Sequence, residues 1–204
     1  MKVLLTGGAV YIGSHTAVEL LSAGHSVVIV DNLCNSKPSV IARIEELTQR
    51  HVDFVEADVS DTPALVEICR QHNFDAAVHF AGLKAVGESV AEPLRYYDVN
   101  LSSAISLCDA MLKTGIRQLV FSSSATVYGE PERIPLDESC RATEAANPYG
   151  RTKIMIEQIL RDLAVAQPAL NIALLRYFNP AGAHASGDIG EDPQGIPDRK
   201  STRL

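Results

Sequence analysis

The sequence predicts an α/β fold, a doubly wound parallel sheet. Three observations predict it. Short apolar runs alternate with longer helical patterns along most of the chain, the arrangement that builds parallel sheets by crossover. The first strand runs into a glycine-rich turn that opens a helix. An aspartate, Asp31, closes the second strand.

Taken in order, Lys2-Val3-Leu4-Leu5-Thr6 reads as a buried strand. Gly7-Gly8-Ala9-Val10-Tyr11-Ile12-Gly13 follows, and a helix is expected over Ser14–Ala23, stopped by Gly24. His25–Val30 is the second strand, which completes a βαβ unit of about 30 residues. Val52–Glu56 is strand three and Thr62–His72 a helix. Phe74–Phe80 is strand four, and Pro93–Thr114 a long helix with Gly115 as its stop. Arg117–Phe121 is strand five, Pro148–Ala166 a helix, and Asn171–Arg176 strand six. The glycines and prolines after Asn179 read as a loop leaving the sheet.

Composition bounds the function. The chain has 204 residues, 46% of them hydrophobic and 21% charged, enough for one domain with a sizeable core. A formal charge of −7 provides no basic surface excess, so no nucleic-acid partner is expected. No apolar stretch approaches the length of a membrane span. The apolar start is cut short by Thr6-Gly7-Gly8, too early for a signal core. Cys34, Cys69, Cys108 and Cys140 lack Cys-x-x-Cys pairing, so reduced thiols, no metal site and a cytoplasmic location are expected. His79, in an apolar strand, reads as a core histidine.

Three motifs carry chemistry. The glycine turn offers backbone N–H groups and a helix N-terminus to a pyrophosphate. Asp31, about 20 residues further on, can accept hydrogen bonds from both ribose hydroxyls and would repel a 2′-phosphate, which favours NAD over NADP. Leu119-Val120-Phe121 runs into Ser122-Ser123-Ser124, and strand carboxyl ends line the ligand crevice of such sheets. Ser124 would there meet a reacting oxygen. Tyr149 and Lys153 lie four apart in Asn147-Pro148-Tyr149-Gly150-Arg151-Thr152-Lys153, one turn apart on one helix face. Asn147 is a good N-cap and Pro148 suits the first helical position. A fixed cation beside a phenol favours phenolate, the state a general base needs. A Tyr-x-x-x-Lys spacing is common by itself; its company with the other two motifs gives it weight.

On these residues the chain resembles the UDP-glucose 4-epimerases of the extended short-chain dehydrogenase/reductase superfamily. The likeness lies in the glycine turn through His15, Asp31–Ser36, His79–Ser89, Ser122–Gly129, Tyr149–Lys153 and Leu174–Pro180, and runs from Met1 to about Pro197. It implies a Rossmann-type NAD-binding domain over residues 1–178 and, from 179, the start of a substrate domain. The implied reaction is epimerisation at C4 of a UDP-hexose in galactose metabolism, with a retained NAD and a transient 4-keto sugar. Tyr149 would be base and acid, Lys153 would hold the nicotinamide ribose, and Ser124 would bond the reacting oxygen. Gly7, Tyr11, Ile12 and Gly13 would line the pyrophosphate. Asp31, Asn32, Leu33, Cys34, Asn35 and Ser36 would hold the adenosine ribose, and Asp58 and Val59 the adenine. Phe80, Ala81, Gly82, Leu83 and Lys84 would line the crevice, with Asn100 on the cofactor side. Phe178 would pack on the nicotinamide, and Asn179 would face the UDP-sugar with Ser124 and Tyr149. The helices 93–114 and 148–166 would pair two copies into a homodimer.

Three departures from that pattern set further expectations. Val10 stands where the family has a glycine; it would crowd the pyrophosphate and, at positive φ, strain the turn, weakening NAD binding by about 1–3 kcal/mol. Val99 replaces the first of two asparagines, so a cofactor-side hydrogen bond is expected to be lost. After Pro197, Asp198–Leu204 bears no likeness to the family and reads as an altered frame, leaving the substrate domain cut short. Two other readings follow: a degenerate NAD-binding module without turnover, or a sugar-nucleotide 4,6-dehydratase. The dehydratase needs an acid pair after the serine block, where this chain has Ala125 and Thr126.

Overall fold

The strands form where apolar runs can be buried on both faces, which a parallel sheet demands. In the computed structural model, which describes residues 1–131, 133–142 and 144–191, β1 (Lys2–Thr6) and β2 (Ser26–Asp31) are buried along all but their first residues. They pair in parallel with β3 (Asp53–Glu56), β4 (Ala76–His79), β5 (Gln118–Ser124) and β6 (Asn171–Tyr177), in the order β3-β2-β1-β4-β5-β6. The order reverses direction at β1, with β2 on one side and β4 on the other. At such a switch point the crossovers leave opposite faces and open a crevice at the strand carboxyl ends.

Period-two alternation divides the core. Val3, Leu5, Val27 and Ile29 face α1 (Tyr11–Ser22) and α2 (Ser39–Thr48), joined by Ala17, Leu21 and Ile44. Leu4, Val28 and Val30 face the other layer, built from α3 (Thr62–His72), α5 (Pro93–Thr114) and α6 (Pro148–Ala166), with Leu65, Leu107, Met111, Ile156 and Leu160.

The expected bounds of α3, α5 and α6 are those observed, because local signals fix them. Asp61 accepts from the N–H of Ala64 at 3.1 Å, and Asn147 from that of Gly150 at 2.8 Å. Gly115, at φ 85°, donates to Met111 O at 2.9 Å to close α5. Other boundaries move. Helix α1 begins at Tyr11 rather than Ser14, so Gly13 lies inside it. A Cβ on Gly13 would stand 2.5 Å from Gly7 O, so only glycine lets the helix start so close to the turn. Helix α2 and the short α4 (Val86–Ala91) were not anticipated. Strand β5 continues through the serines, pairing Ser122, Ser123 and Ser124 with Leu175, Arg176 and Tyr177.

The segment after β6 does not simply leave the sheet. It folds back across α1 and α2: Ile189 is buried in their core, Arg43 donates to Asp188 O at 3.0 Å, and the Tyr11 hydroxyl donates to Gly182 O. The expected tail, 198–204, lies outside the described residues.

Candidate active site

Three segments meet at the switch point. Gly7 has φ 67°, and a Cβ there would stand 2.5 Å from Ala81 N, so the glycine turn and the loop after β4 touch backbone to backbone. Phe80 and Ala81 both donate to Thr6 O, at 2.8 and 3.0 Å. Asp31 is buried and ties the third segment in: Oδ2 accepts from Ala9 N (3.1 Å), and Oδ1 accepts from Leu33 N and Ser36 Oγ, each at 2.9 Å. A carboxylate has about four acceptor sites. Three are in use among the described residues, leaving acceptor capacity on Oδ2.

The rest of the second-strand loop surrounds that carboxylate. Leu33 adopts φ 57°, Cys34 N donates to Asn32 Oδ1 at 3.2 Å, and Asn32 donates to Asp58 at 3.1 Å. Asn35 is exposed. The Asp58 carboxyl is held below its usual range, chiefly by the Ser60 hydroxyl and N–H. Val59 is buried in the core.

Val10 corrects an expectation. It is the N-cap of α1 at φ −84° and ψ 173°, an extended conformation open to any residue. The strain expected of a β-branched residue at positive φ is absent.

Asn100 also differs from expectation. It is buried, accepts from Leu83 N at 2.7 Å, and donates to Leu83 O (3.1 Å) and Thr152 Oγ1 (3.0 Å). Both amide protons are thereby engaged within the protein. Thr152 in turn donates to Tyr149 O at 2.7 Å. Asn100 thus clamps the Gly82–Leu83 backbone to the first turn of α6. Lys84 is exposed and pairs with Glu191 at 3.5 Å.

On the other side of β4, the face of α6 carrying Tyr149 and Lys153 lies against β5. Lys153 is buried and donates to Ser122 O at 2.8 Å. Its ammonium sits 4.8 Å from the Phe121 ring centroid and 5.8 Å from that of Tyr149. Burial pulls its pKa down to about 8, because an ammonium loses hydration there. Ser124 caps a 3-10 turn (Ala125–Tyr128), accepting from Thr126 N at 3.3 Å and Thr126 Oγ1 at 3.0 Å. Gly150 packs on Thr126: a Cβ there would come within 3.3 Å of Thr126 O. The phenol-bearing turn and the Ser124 turn are therefore neighbours. Phe178 and Asn179, after β6, are exposed.

One feature was read in the sequence and a second was not. His79, expected as a core histidine, is buried at the end of β4, its Nδ1 2.7 Å from Thr6 Oγ1, and Nε2 lacks a partner among the described residues. Burial, with the nearby Lys153 charge, drops its pKa to about 3, so the ring is neutral. The second is a buried ion cluster. Glu157, one turn beyond Lys153, accepts from Ser123 Oγ (2.6 Å), from Arg176 Nε and Nη2 (3.0 and 2.7 Å) and from Arg161 (2.8 Å). The only sequence signal was the i, i+4, i+8 stripe Tyr149, Lys153, Glu157.

Comparison with known proteins agrees with this architecture. A model of the NAD dependent epimerase/dehydratase family matches residues 3–202. A mouse UDP-glucose 4-epimerase is 56% identical over 202 residues, 96% of this chain and 58% of the relative. The solved UDP-glucose-4-epimerase of Stenotrophomonas maltophila, with bound NAD and formylated UDP-arabinopyranose, superposes with a TM-score of 0.95 at 54% identity, covering 98% of this chain and 59% of that one. That of Bifidobacterium longum, with NAD+ and UDP, has a TM-score of 0.95 at 50% identity, covering 97% and 59%. The chain spans about 58% of the length of the curated relatives it matches. It belongs to the NAD dependent epimerase/dehydratase family.

Proposed function

We propose that this family member is the dinucleotide-binding and catalytic part of an NAD-dependent UDP-hexose 4-epimerase, interconverting UDP-glucose and UDP-galactose through a transient 4-keto sugar. The observation that carries the reading is the 2.8 Å bond from Lys153 to Ser122 O. It seats the Tyr149 face of α6 at the carboxyl end of β5, the same end of the sheet at which Gly7 meets Ala81.

The residues present fit the cofactor. Gly7 and Gly13 let the turn, the loop after β4 and the start of α1 pack backbone against backbone, where a Cβ would collide, and such a turn at a helix N-terminus offers N–H groups to a pyrophosphate. Asp31 keeps an acceptor for a ribose hydroxyl and opposes a 2′-phosphate. Bound NAD supplies a reversible hydride acceptor for the C4 hydrogen. The chain's own groups do the rest. Tyr149 removes the 4-hydroxyl proton and later returns it. Lys153, with two N–H donors beyond its bond to Ser122, holds the nicotinamide ribose and favours the phenolate. Ser124, whose Oγ accepts from Thr126 N and Oγ1, keeps its own proton to donate to the reacting oxygen. Asn32, Asn35, Ser36 and Asp58 surround the adenosine, Tyr11 and Ile12 the pyrophosphate, Phe178 the nicotinamide, and Asn179 the sugar nucleotide. Asn100 acts through Leu83, as a positioning residue.

Residues 1–178 form the NAD-binding domain in this reading, and 179 onward begins the substrate domain, whose part from 192 lies outside the described residues. Exposed Leu94 and Ile105 on α5 and Met155 on α6 support a homodimer through those helices. No helix among the described residues is long and apolar enough to cross a membrane. The four unpaired cysteines fit a reducing, cytoplasmic setting.

The test is the conversion of UDP-galactose to UDP-glucose, by this chain and by this chain joined to the remaining length of a relative, with bound NAD followed by absorbance. Tyr149→Phe is expected to lower turnover by at least about 100-fold with NAD affinity kept. Unaltered turnover removes the proposed base. NAD bound without turnover in either form indicates a binding module instead.

A further inference from the structure

The ion cluster behind the site links elements that the proposed reaction must hold in register. Glu157 is 1% exposed in its side chain, and four donors meet its two oxygens, so its acceptor capacity is filled. Arg176 on β6 grips it with two parallel bonds, the geometry a guanidinium fork is built for. The remaining arm of Arg176 donates to Tyr128 Oη at 3.0 Å, and its guanidinium lies 4.8 Å from the Tyr128 ring centroid. Tyr128 ends the 3-10 turn that Ser124 opens. Glu157 lies one helical turn past Lys153 and two past Tyr149. Three consecutive serines therefore do three different things: Ser122 anchors Lys153 through its carbonyl, Ser123 donates to Glu157, and Ser124 opens the turn that Arg176 reaches from behind.

We propose that Arg176 is a positioning residue for the epimerisation: through Glu157 and Tyr128 it fixes the Lys153–Tyr149 face of α6 relative to the Ser124 turn. The role rests on the functional reading above. Arg176 is 14% exposed in its side chain and lies on the edge strand, where no ladder bond beyond β5 holds it among the described residues. Its backbone pairs with Ser123 of β5, but its tie to α6 is made by side chains alone. Arg161, the other cation on Glu157, is 48% exposed and reaches no part of the Ser124 turn, so it neutralises charge without setting register.

The test uses the purified chain and reads the Lys153 amine directly, by NMR of isotope-labelled lysine side chains assigned with Lys153→Met. Arg176→Lys keeps the charge and loses the fork; Tyr128→Phe keeps the ring and loses the acceptor. Both are expected to let water reach Lys153, moving its titration from about 8 towards its ordinary 10.5, more in Arg176→Lys than in Tyr128→Phe. Arg161→Gln is expected to leave it in place. General loss of stability lowers the melting temperature without moving a native-state titration. An unmoved Lys153 titration in Arg176→Lys and Tyr128→Phe, whatever their melting temperatures, overturns the proposal. So does an equal displacement in Arg161→Gln. Undiminished turnover in Tyr149→Phe removes the reaction itself, and is told apart because Lys153 still responds to Arg176→Lys.

Discussion

The two walls of the crevice are built from opposite materials. At the ends of β1 and β2 the wall is mostly backbone: Gly7 against Ala81, Gly13 against Gly7, and one carboxylate, Asp31, bound to neighbouring N–H groups. At the ends of β4 and β5 it is charge taken out of water: Lys153, Glu157 and Arg176, beside the neutral His79. The first wall needs close approach, so its precision comes from missing side chains. The second needs an ammonium and a phenol at fixed spacing, so its precision comes from filled hydrogen-bond capacity. The difference teaches where each wall is fragile: the first to any added atom, the second to pH.

The sharpest contrast is expected in acid. His79 has a folded pKa of about 3 against an ordinary 6.5. As pH falls below 6.5 the unfolded chain takes up a proton that the folded chain refuses. Its contribution is therefore complete above 6.5 and drains away towards pH 3, by about 5 kcal/mol in all. Denaturant unfolding of His79→Asn, which keeps an acceptor near Thr6, should show a shallower acid limb than the unaltered chain. Equal slopes would place the acid sensitivity elsewhere.

The glycine wall is tested by one methyl group. Gly7→Ala combines positive φ with a Cβ 2.5 Å from Ala81 N, and about 3–4 kcal/mol of stability should be lost. Gly24→Ala has φ 87° but nothing within 4 Å of the new carbon, so about 1 kcal/mol is expected. Equal losses at the two sites would mean that backbone conformation, not contact, sets the first wall.

Lys153→Met should act in the opposite sense. Below pH 8 the folded chain carries a buried ammonium, which disfavours it; between about 8 and 10.5 that proton leaves the folded state first, so stability from this group rises with pH. The methionine variant is expected to be more stable near neutrality, by up to about 3 kcal/mol, with the gap closing by pH 10.5. Measuring the difference between the two chains cancels Cys69 and Cys108, whose raised values work in the reverse direction. A constant gap would show that Lys153 is not a buried charge. The smallest effect belongs to the cap of α6: Asn147→Ala should lower the melting free energy by about 1 kcal/mol, with Lys153 left in its place.

Legibility followed the same division. Asp61, Pro93, Gly115, Asn147 and Pro148 act on groups a few residues away, so α3, α5 and α6 could be bounded from the sequence. Asp31 could be found by its distance from the glycines. Helix α2 carries an apolar stripe, Val40, Ile41, Ile44 and Leu47, that packs on the core beside α1, a signal present in the sequence and passed over, whereas α4 has only six residues. Ser122–Ser124 look like loop until β6 supplies the ladder that makes them strand. Val10 was expected to strain the turn, because a glycine in a pattern does not reveal its φ; the backbone here is extended. Asn100 was placed on the cofactor side by the resemblance alone, whereas Leu83 and Thr152 engage its amide, partners no local pattern points to.

By itself the sequence determined the alternation of elements, the glycine turn, the acid about 20 residues beyond it and the Tyr149–Lys153 face, since each rests on a local pattern or on a spacing within one βαβ unit. Only the tertiary structure decided which charges are buried and with whom. Arg176 meets Glu157 across 19 residues and Tyr128 across 48, and His79 meets Thr6 across 73. Such partners are chosen by strand order and helix docking, and a spacing along the chain holds no record of that choice.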